Sequence, residues 1–479
     1  VKVATLMPKD PAVIKYIEDL SEKTKLNFAP VMISKSGFIY GILAYEKKEM
    51  ELRQKEESKE EKRSFEDQIK DIESAVKVAK SVSTTELLDV LMVGAIKMRA
   101  SDIHVEPYET EACVRYRIDG VLQEVITIPL ASQRTLLSRV KFLSKMKLDN
   151  NNPQDGRFSW NMQGESVDLR VSTMPASGGE AVVIRILGQE RELIDLESLG
   201  FRPEALSVIN AAISKPHGLI LTSGPTGSGK TSTLYAILKK LNNTEVKIIT
   251  LEDPVEYRIG GIEQSQINKE GGYGFAEGLR SALRQDPDII MVGEIRDVET
   301  AEIAIQAALT GHLVLSTVHA NSAPSVFARL LDIGVKPFLL SGSINLVMAQ
   351  RLVRKVCDKC AEVYEAKREE WEEIKNRLLP VRDILPEEVR EKLAKDDKKL
   401  KRGVGCKVCG NSGFFGREVI IEVMIPDEDI EGMIKRGATV SDFDKSAREK
   451  GMVTMEQDGL IKALSGSTTI DEVWRVTRE

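Results

Sequence analysis

Apolar and polar positions alternate in different rhythms along this chain, and each change of rhythm predicts a boundary. Residues 1–45 mix a short helical pattern around Ile14–Leu20 with strand-like runs at Ala29–Ile33 and Phe38–Leu43, and are expected to form a partial accessory domain. From Glu46 to Arg63, 14 of 18 residues are charged, seven of each sign, so residues 46–79 are expected to be a charged linker unable to anchor a core. Ser83-Thr84-Thr85-Glu86 has the spacing of a capping box, and Leu87, Leu88, Leu91, Ala95 and Met98 follow on one helical face. Short alternating runs come next at Asp102–Glu106, Ala112–Ile118, Val167–Ser172 and Ala181–Leu187, with a turn signal at Asp119-Gly120. Helix plus alternating strands predicts an α+β domain over about residues 80–190.

Beyond Gly218 the apolar runs become continuous. Leu219–Leu221, Val246–Leu251, Ile289–Val292 and Leu313–Val318 alternate with helical segments, which predicts a parallel sheet buried on both faces within an α/β domain over residues 195–479. Helices are expected to fill its C-terminal end. A charged, helix-rich stretch at 358–405 interrupts the pattern as an arm held between two pairs of cysteines.

Composition narrows the class. A length of 479 residues allows about three domains. The 68 basic and 74 acidic residues leave a net charge of −6, and only 5% of residues are aromatic, which argues against a protein built to grip nucleic acid. No run approaches the roughly 18 apolar residues of a membrane-spanning helix, and Val1-Lys2-Val3 opens no signal core, so neither secretion nor membrane spanning is expected. Five cysteines, an odd number in a long chain, argue against a disulfide framework and for a reducing compartment.

The sharpest signal is Gly224-Pro225-Thr226-Gly227-Ser228-Gly229-Lys230-Thr231, a complete G-x-x-x-x-G-K-[ST] phosphate loop between strand-like Gly218–Thr222 and the helical run Ser232–Leu241. Glycines let the backbone close on a phosphate, and N–H groups at the helix start point at it. Residues Gly224 to Ser232 are therefore expected to hold ATP, with Lys230 on the β- and γ-phosphates and the Thr231 hydroxyl on Mg²⁺. Acids at strand ends supply candidates for water activation. Glu252, with Glu256 just beyond it, ends one run, and Glu294 ends another, where Gly293 replaces the usual magnesium-binding aspartate. Either Glu252 or Glu294 can be the base.

Cys357-x-x-Cys360 and Cys406-x-x-Cys409 form two pairs separated by 45 residues, and four thiolates suit structural tetrahedral Zn²⁺. An iron–sulfur cluster and unligated thiols are the alternatives. Cys113, inside a strand pattern, reads as a small buried apolar residue.

In order along the chain come the phosphate loop, Thr250-Leu251-Glu252-Asp253-Pro254-Val255-Glu256-Tyr257, Arg284-Gln285-Asp286-Pro287-Asp288 through Glu294-Ile295-Arg296-Asp297, and Thr310-Gly311-His312 through His319-Ala320-Asn321. This series resembles the Walker A, aspartate, Walker B and histidine boxes of the secretion ATPases that serve type II secretion and type IV pilus assembly. Ser101–Pro107 and Pro153–Arg157 are similar to further family stretches, and the resemblance covers about residues 80–479. It implies a RecA-like P-loop ATPase domain over 195–479, preceded by a PAS-like N2 domain over 80–190 and carrying a tetracysteine zinc module at 355–410. The implied protein is a homo-hexameric motor at the cytoplasmic side of the inner membrane that hydrolyses ATP with Mg²⁺ and acts on a polytopic platform protein. Arg170 and Arg185 then look like arginines that reach the phosphates, and Arg280, Arg284 and Arg296 like their partners on the ATPase side. Each alone also reads as a surface ion pair. His319 looks like a sensor of the γ-phosphate, and His312 like a structural or inter-domain contact.

Retraction ATPases of the family lack the tetracysteine insertion, so the resemblance favours an export or assembly motor. Secretion and pilus assembly stay open. A zinc-containing nucleic-acid motor is the alternative function, opposed by the charge and aromatic content. A non-hydrolysing scaffold is opposed by the intact Lys230, Thr231 and Glu294.

Overall fold

The computed structural model describes residues 2–5, 13–15, 21, 29–32, 84–162, 165–187 and 195–478. The chain divides into two units, Val1–Ser64 and Phe65–Glu479. In the first, strands β1 (Lys2–Thr5) and β2 (Ala29–Met32) pair in parallel. The expected strand at Phe38–Leu43 and the linker 46–79 lie outside the described residues, as does most of the helical pattern at Ile14–Leu20.

The second unit opens with α1 (Thr84–Lys97), and Leu87, Leu88, Leu91, Ala95 and Met98 are all buried, as their helical spacing requires. Strands β3 (Asp102–Pro107), β4 (Glu111–Ile118), β5 (Val121–Pro129), β6 (Gln154–Met162), β7 (Glu165–Ala176) and β8 (Gly179–Leu187) follow, with α2 (Leu130–Leu143) between β5 and β6. They form one antiparallel sheet in the order β5-β4-β3-β8-β7-β6. Ile103, Val105, Val114, Tyr116, Leu169, Val171, Val182 and Ile184 lie on its core side against α1 and α2. Period-2 alternation therefore turns Arg170 and Arg185 to the other face. Cys113 is buried, as read.

After α3 (Pro203–Ile213) the architecture changes. Strands β9 (Gly218–Ser223), β10 (Ile248–Glu252), β11 (Glu263–Gln266), β12 (Ile289–Val292), β13 (Leu313–Val318), β14 (Ile344–Val356) and β17 (Phe414–Met424) form a seven-stranded sheet in the order β11-β10-β12-β13-β9-β14-β17. It is parallel except for β17, which runs antiparallel to β14. Every residue of β9, β10, β12 and β13 is buried, because helices cover both faces and each face has its own apolar core. The covering helices are α4 (Lys230–Leu241), α5 (Phe275–Ala282), α6 (Val298–Leu309) and α7 (Ala323–Ile333), with α10 (Glu428–Arg436) and α11 (Val440–Glu449) further along.

The cysteine-flanked insert between β14 and β17 is not only helical. Strands β15 (Ala361–Glu365) and β16 (Lys399–Gly403) form an antiparallel ribbon around α8 (Arg368–Leu378) and α9 (Glu387–Ala394). Nor is it a free arm. Trp371, Ile374, Leu378 and Val389 share one apolar core with Leu460, Ile461, Leu464 and Val473 of α12 (Met455–Ser465) and α13 (Ile470–Thr477).

Candidate nucleotide site and tetracysteine centre

The phosphate loop leaves β9 at Ser223 and enters α4 at Lys230, the strand–loop–helix order its sequence predicts. Gly224 has φ +145°, and a Cβ there would lie 2.6 Å from the Gln350 carbonyl oxygen of β14. Only a glycine lets the loop pass this close. Pro225, Thr226 and Gly227 form the exposed crest, and Thr231 and Ser232 present their side chains from the exposed first turn of α4. The Lys230 ammonium donates to the carbonyls of Gly224 (2.7 Å) and Pro225 (2.9 Å), which holds it over the loop. Burial pulls its pKa below the ordinary value, with Glu294 opposing and Arg351 adding to the effect.

Glu294 stands one residue beyond the Gly293 that follows β12. Its Oε2 lies 2.6 Å from Arg296 Nε and 3.4 Å from His319 Nε2. Ser223 at the loop's origin donates to the Ala320 carbonyl (2.8 Å), which ties the histidine segment to the phosphate loop. Lys230, Glu294, Arg296 and His319 thus form one constellation at the C-terminal ends of β9, β12 and β13, where open α/β sheets bind ligands.

Glu252 has a different environment. It is 3% exposed, and its carboxylate accepts hydrogen bonds from the Tyr235 hydroxyl, the Thr250 hydroxyl and the Gln264 amide (3.1 Å). Burial and the neighbouring carboxylate push the Tyr235 pKa up, which keeps that phenol a donor. Both oxygens of Glu252 are engaged inside the protein, whereas Glu294 faces cations. Arg280 and Arg284 sit on an exposed surface, Arg280 paired with Glu299 at 2.5 Å and Arg284 donating to the Arg280 carbonyl at 2.9 Å. Their described contacts do not reach the phosphate loop. His312 Nδ1 bonds the Ala307 carbonyl of α6 at 3.0 Å, a structural contact.

Strand register in the antiparallel domain produces an arrangement that the sequence reading missed. Arg157 of β6 pairs with Arg170 of β7, Arg170 with Arg185 of β8, Arg185 with Asp102 of β3, and Asp102 with Arg117 of β4. Directly paired side chains share a face, so three arginines stand side by side across the sheet. Like charges placed directly opposite each other destabilise a sheet. Asp102 answers part of this charge, at 2.8 Å from Arg185 and 3.6 Å from Arg117. Glu256 of the α/β domain answers more: desolvation raises its pKa, and Arg185, Arg170 and Arg157 pull it back down. The row presents guanidinium forks, whose planar geometry matches phosphate oxygens. Pro153–Arg157 and Ser101–Pro107 held the missing members, but only register makes a row of them.

At the tetracysteine centre the Sγ atoms of Cys357, Cys360, Cys406 and Cys409 all lie within 4.8 Å of one another. Cys357–Cys406 is 3.8 Å, Cys360–Cys409 3.7 Å and Cys406–Cys409 3.7 Å. A tetrahedron with metal–sulfur arms of about 2.3 Å has edges of about 3.8 Å. The donor set thus fits one small tetrahedral ion and leaves no room for a cluster. Burial pushes the thiol of Cys360 up to about 12. At Cys406, hydrogen bonds from the Cys409 and Val408 backbone outweigh burial and hold the pKa to about 7. A divalent cation would replace the proton that the buried Cys360 thiol otherwise keeps.

Residues 77–475 match the family described as Type II/IV secretion system protein. Type II secretion system protein E of Xanthomonas campestris pv. campestris is 45% identical over 411 residues, 85% of this chain and 70% of the relative. The type IV pilus assembly ATPase PilB of Myxococcus xanthus is 41% identical over 409 residues, again 85% and 70%. Among solved structures, the pilus retraction motor PilT with bound ADP superposes with a TM-score of 0.53 at 26% identity, covering 81% of this chain and 96% of PilT. With the phosphate loop, the acid–histidine constellation and the cysteine tetrad all in the matched span, this chain belongs to the Type II/IV secretion system protein family.

Proposed function

We propose that this chain is the Mg²⁺-dependent ATPase subunit of a homo-hexameric motor, working at the cytoplasmic side of the inner membrane on a platform protein during type II secretion or type IV pilus assembly. The observation that carries this reading is the constellation of Lys230, Glu294 and His319 around a complete phosphate loop, within a family whose relatives include an assembly ATPase. Lys230 and the loop N–H groups bind the β- and γ-phosphates. Glu294, rather than the internally saturated Glu252, accepts the proton of the attacking water or orients it. His319 and Arg296 fix the Glu294 carboxylate and sense the γ-phosphate beside it. Arg170 and Arg185, aligned with Arg157, answer phosphate charge from the antiparallel domain and withdraw when that domain moves. Arg280 and Arg284 are proposed as further cationic groups on the ATPase face. Thr231 and Glu294 would hold Mg²⁺, which neutralises phosphate charge when bound. Cys357, Cys360, Cys406 and Cys409 would hold Zn²⁺ as a structural cross-link.

The tetracysteine insert supports extension over retraction, and the 81% coverage against PilT's 96% accords with extra chain beyond a retraction motor. The deciding experiment deletes the gene in its source organism and scores surface pili and exported proteins together. Loss of either one alone assigns the machine. Retention of both would refute the assembly-motor reading.

A further inference from the structure

We infer that Gln350 is a positioning residue for phosphate binding, acting as a clasp that sets the direction of the loop's N–H groups. Gln350 lies in the middle of β14, next to β9, and is fully buried. Its side-chain Nε2 donates to the Ser228 carbonyl at 2.8 Å, and its Oε1 accepts from the Thr233 hydroxyl of α4 at 3.0 Å. One amide thus joins the loop to the helix that follows it. Two loop glycines pack directly on it. A Cβ at Gly224 would sit 2.6 Å from the Gln350 carbonyl, and one at Gly229 would sit 3.1 Å from Nε2.

The consequence follows from peptide planarity. In the trans peptide joining Ser228 to Gly229, the C=O and N–H point in opposite directions. Drawing the Ser228 carbonyl inward to Gln350 therefore turns the Gly229 N–H outward, to the side where a phosphate approaches the helix N-terminus. The Ser228 carbonyl fixes which way the amide faces. It can only accept, so it takes the NH₂ end, which leaves Oε1 to accept from the buried Thr233 hydroxyl, 0% exposed. A flipped amide would set oxygen against oxygen and release the peptide. Gln350 touches no phosphate itself and acts through Gly229.

This inference rests on the phosphate-loop reading, and the two fail separately. The test measures ADP affinity by calorimetry and ATPase kinetics on the full chain for Gln350→Met, Gln350→Glu, Thr233→Val, the double variant Gln350→Met/Thr233→Val, and Lys230→Ala as control. Loop N–H groups hold phosphate in ground and transition states alike, so KM for ATP and Kd for ADP should rise together while kcat stays within about threefold. Gln350→Met is expected to weaken ADP about tenfold. Gln350→Glu, which sets a carboxylate against the Ser228 carbonyl, weakens it more, and Thr233→Val less. The double variant removes the stranded hydroxyl and should regain thermal stability without regaining affinity. Unchanged ADP affinity in Gln350→Met or Gln350→Glu, a fall in kcat alone, or affinity recovered with stability in the double variant would each overturn the clasp. If Lys230→Ala also bound ADP normally, the phosphate-loop reading would fall instead.

Discussion

Glu472 offers a prediction whose size and pH dependence both come from its surroundings. It lies in the first turn of α13, 1% exposed at the side chain, and meets two arginines. Arg354 of β14 donates from its backbone N–H (3.0 Å), Nε (3.0 Å) and Nη2 (2.8 Å), while Arg475 donates from Nε (2.8 Å) and Nη2 (2.6 Å). Burial alone would raise the carboxyl's pKa, but hydrogen bonds from Arg475 and Arg354 override it and bring it from 4.5 to about 2. A depression of that size is worth about 3 kcal/mol. Breaking a buried pair by mutation costs a comparable 3–5 kcal/mol by a separate route. An unfolded Glu472 takes up its proton near pH 4.5 and the folded one only near pH 2, so unfolding absorbs a proton in between. The stabilisation is therefore complete above about pH 4.5 and disappears as pH falls toward 2. Glu472→Gln should lower the urea-unfolding free energy by about 3 kcal/mol at pH 7, and the gap from wild type should shrink to about 1.4 kcal/mol near pH 3. A Trp160→Phe background leaves Trp371 and Trp474 as reporters, both in the core shared by the insert and the C-terminal helices. A gap under about 1 kcal/mol at pH 7, or one that is flat from pH 7 to pH 3, would refute the reasoning.

Other outcomes follow from the site. Lys230→Ala should reduce ATP turnover by at least about a hundredfold, read in a phosphate-release assay; near-normal turnover would contradict the phosphate loop. Glu294→Gln should still bind ATP while hydrolysis drops by roughly 10²–10⁴, whereas Glu252→Gln should mainly lower the melting temperature by loosening its contacts to Tyr235, Thr250 and Gln264. The reverse pattern would make Glu252 the base. Chelation should loosen the 357–409 module, seen as faster hydrogen exchange in β15 and β16, while ADP affinity stays within about twofold. Loss of ADP binding on chelation would disprove that separation.

What the sequence made legible was what it encodes locally. The phosphate loop is a contiguous pattern whose glycines and lysine act within one turn of chain. The cysteine tetrad was legible because C-x-x-C spacing is a local loop geometry, even across 45 intervening residues. The continuous apolar runs announced β9, β12 and β13 because strands buried on both faces cannot tolerate alternation. Residues whose meaning depends on distant partners escaped. Gln350 follows the apolar run Leu346–Ala349 of β14 and carries no signal of its own until Ser228, 122 residues earlier, is placed beside it. The arginine row needs the register of three strands, β6, β7 and β8, and register is a property of pairing. Glu252 and Glu294 look alike in sequence, and only Tyr235 and Gln264, folded onto Glu252 from either side, tell them apart. The ribbon of β15 and β16 escaped because AEVYE and KLKRG are largely exposed and carry little apolar signal.

The path of β14 runs from the nucleotide loop to the cysteine tetrad, and its anchors are the physical basis for expecting the two to be separable. Gln350 grips the phosphate loop, Arg354 meets Glu472, and Cys357, immediately after the strand's end at Val356, belongs to the cysteine tetrad. At about 3.3 Å per residue, Gln350 and Cys357 stand roughly 23 Å apart along the strand. Between them the strand is fastened three times on its way: the Arg354 carbonyl accepts from Thr468, Glu472 holds the Arg354 backbone N–H and guanidinium, and the Val356 N–H donates to the Ser467 carbonyl. On its other edge β17 pairs with it from Val347 to Val356. β17 also carries Glu422, whose buried carboxylate accepts the first N–H of both α7 (2.6 Å) and α12 (3.1 Å). Loosening at the cysteines should therefore meet the Glu472 fastening before it can reach Gln350, and the loop is expected to keep its shape. The same fastening is a buried ion pair whose loss costs several kcal/mol, so the strand between the two centres is held rigid by charge as well as by its ladder.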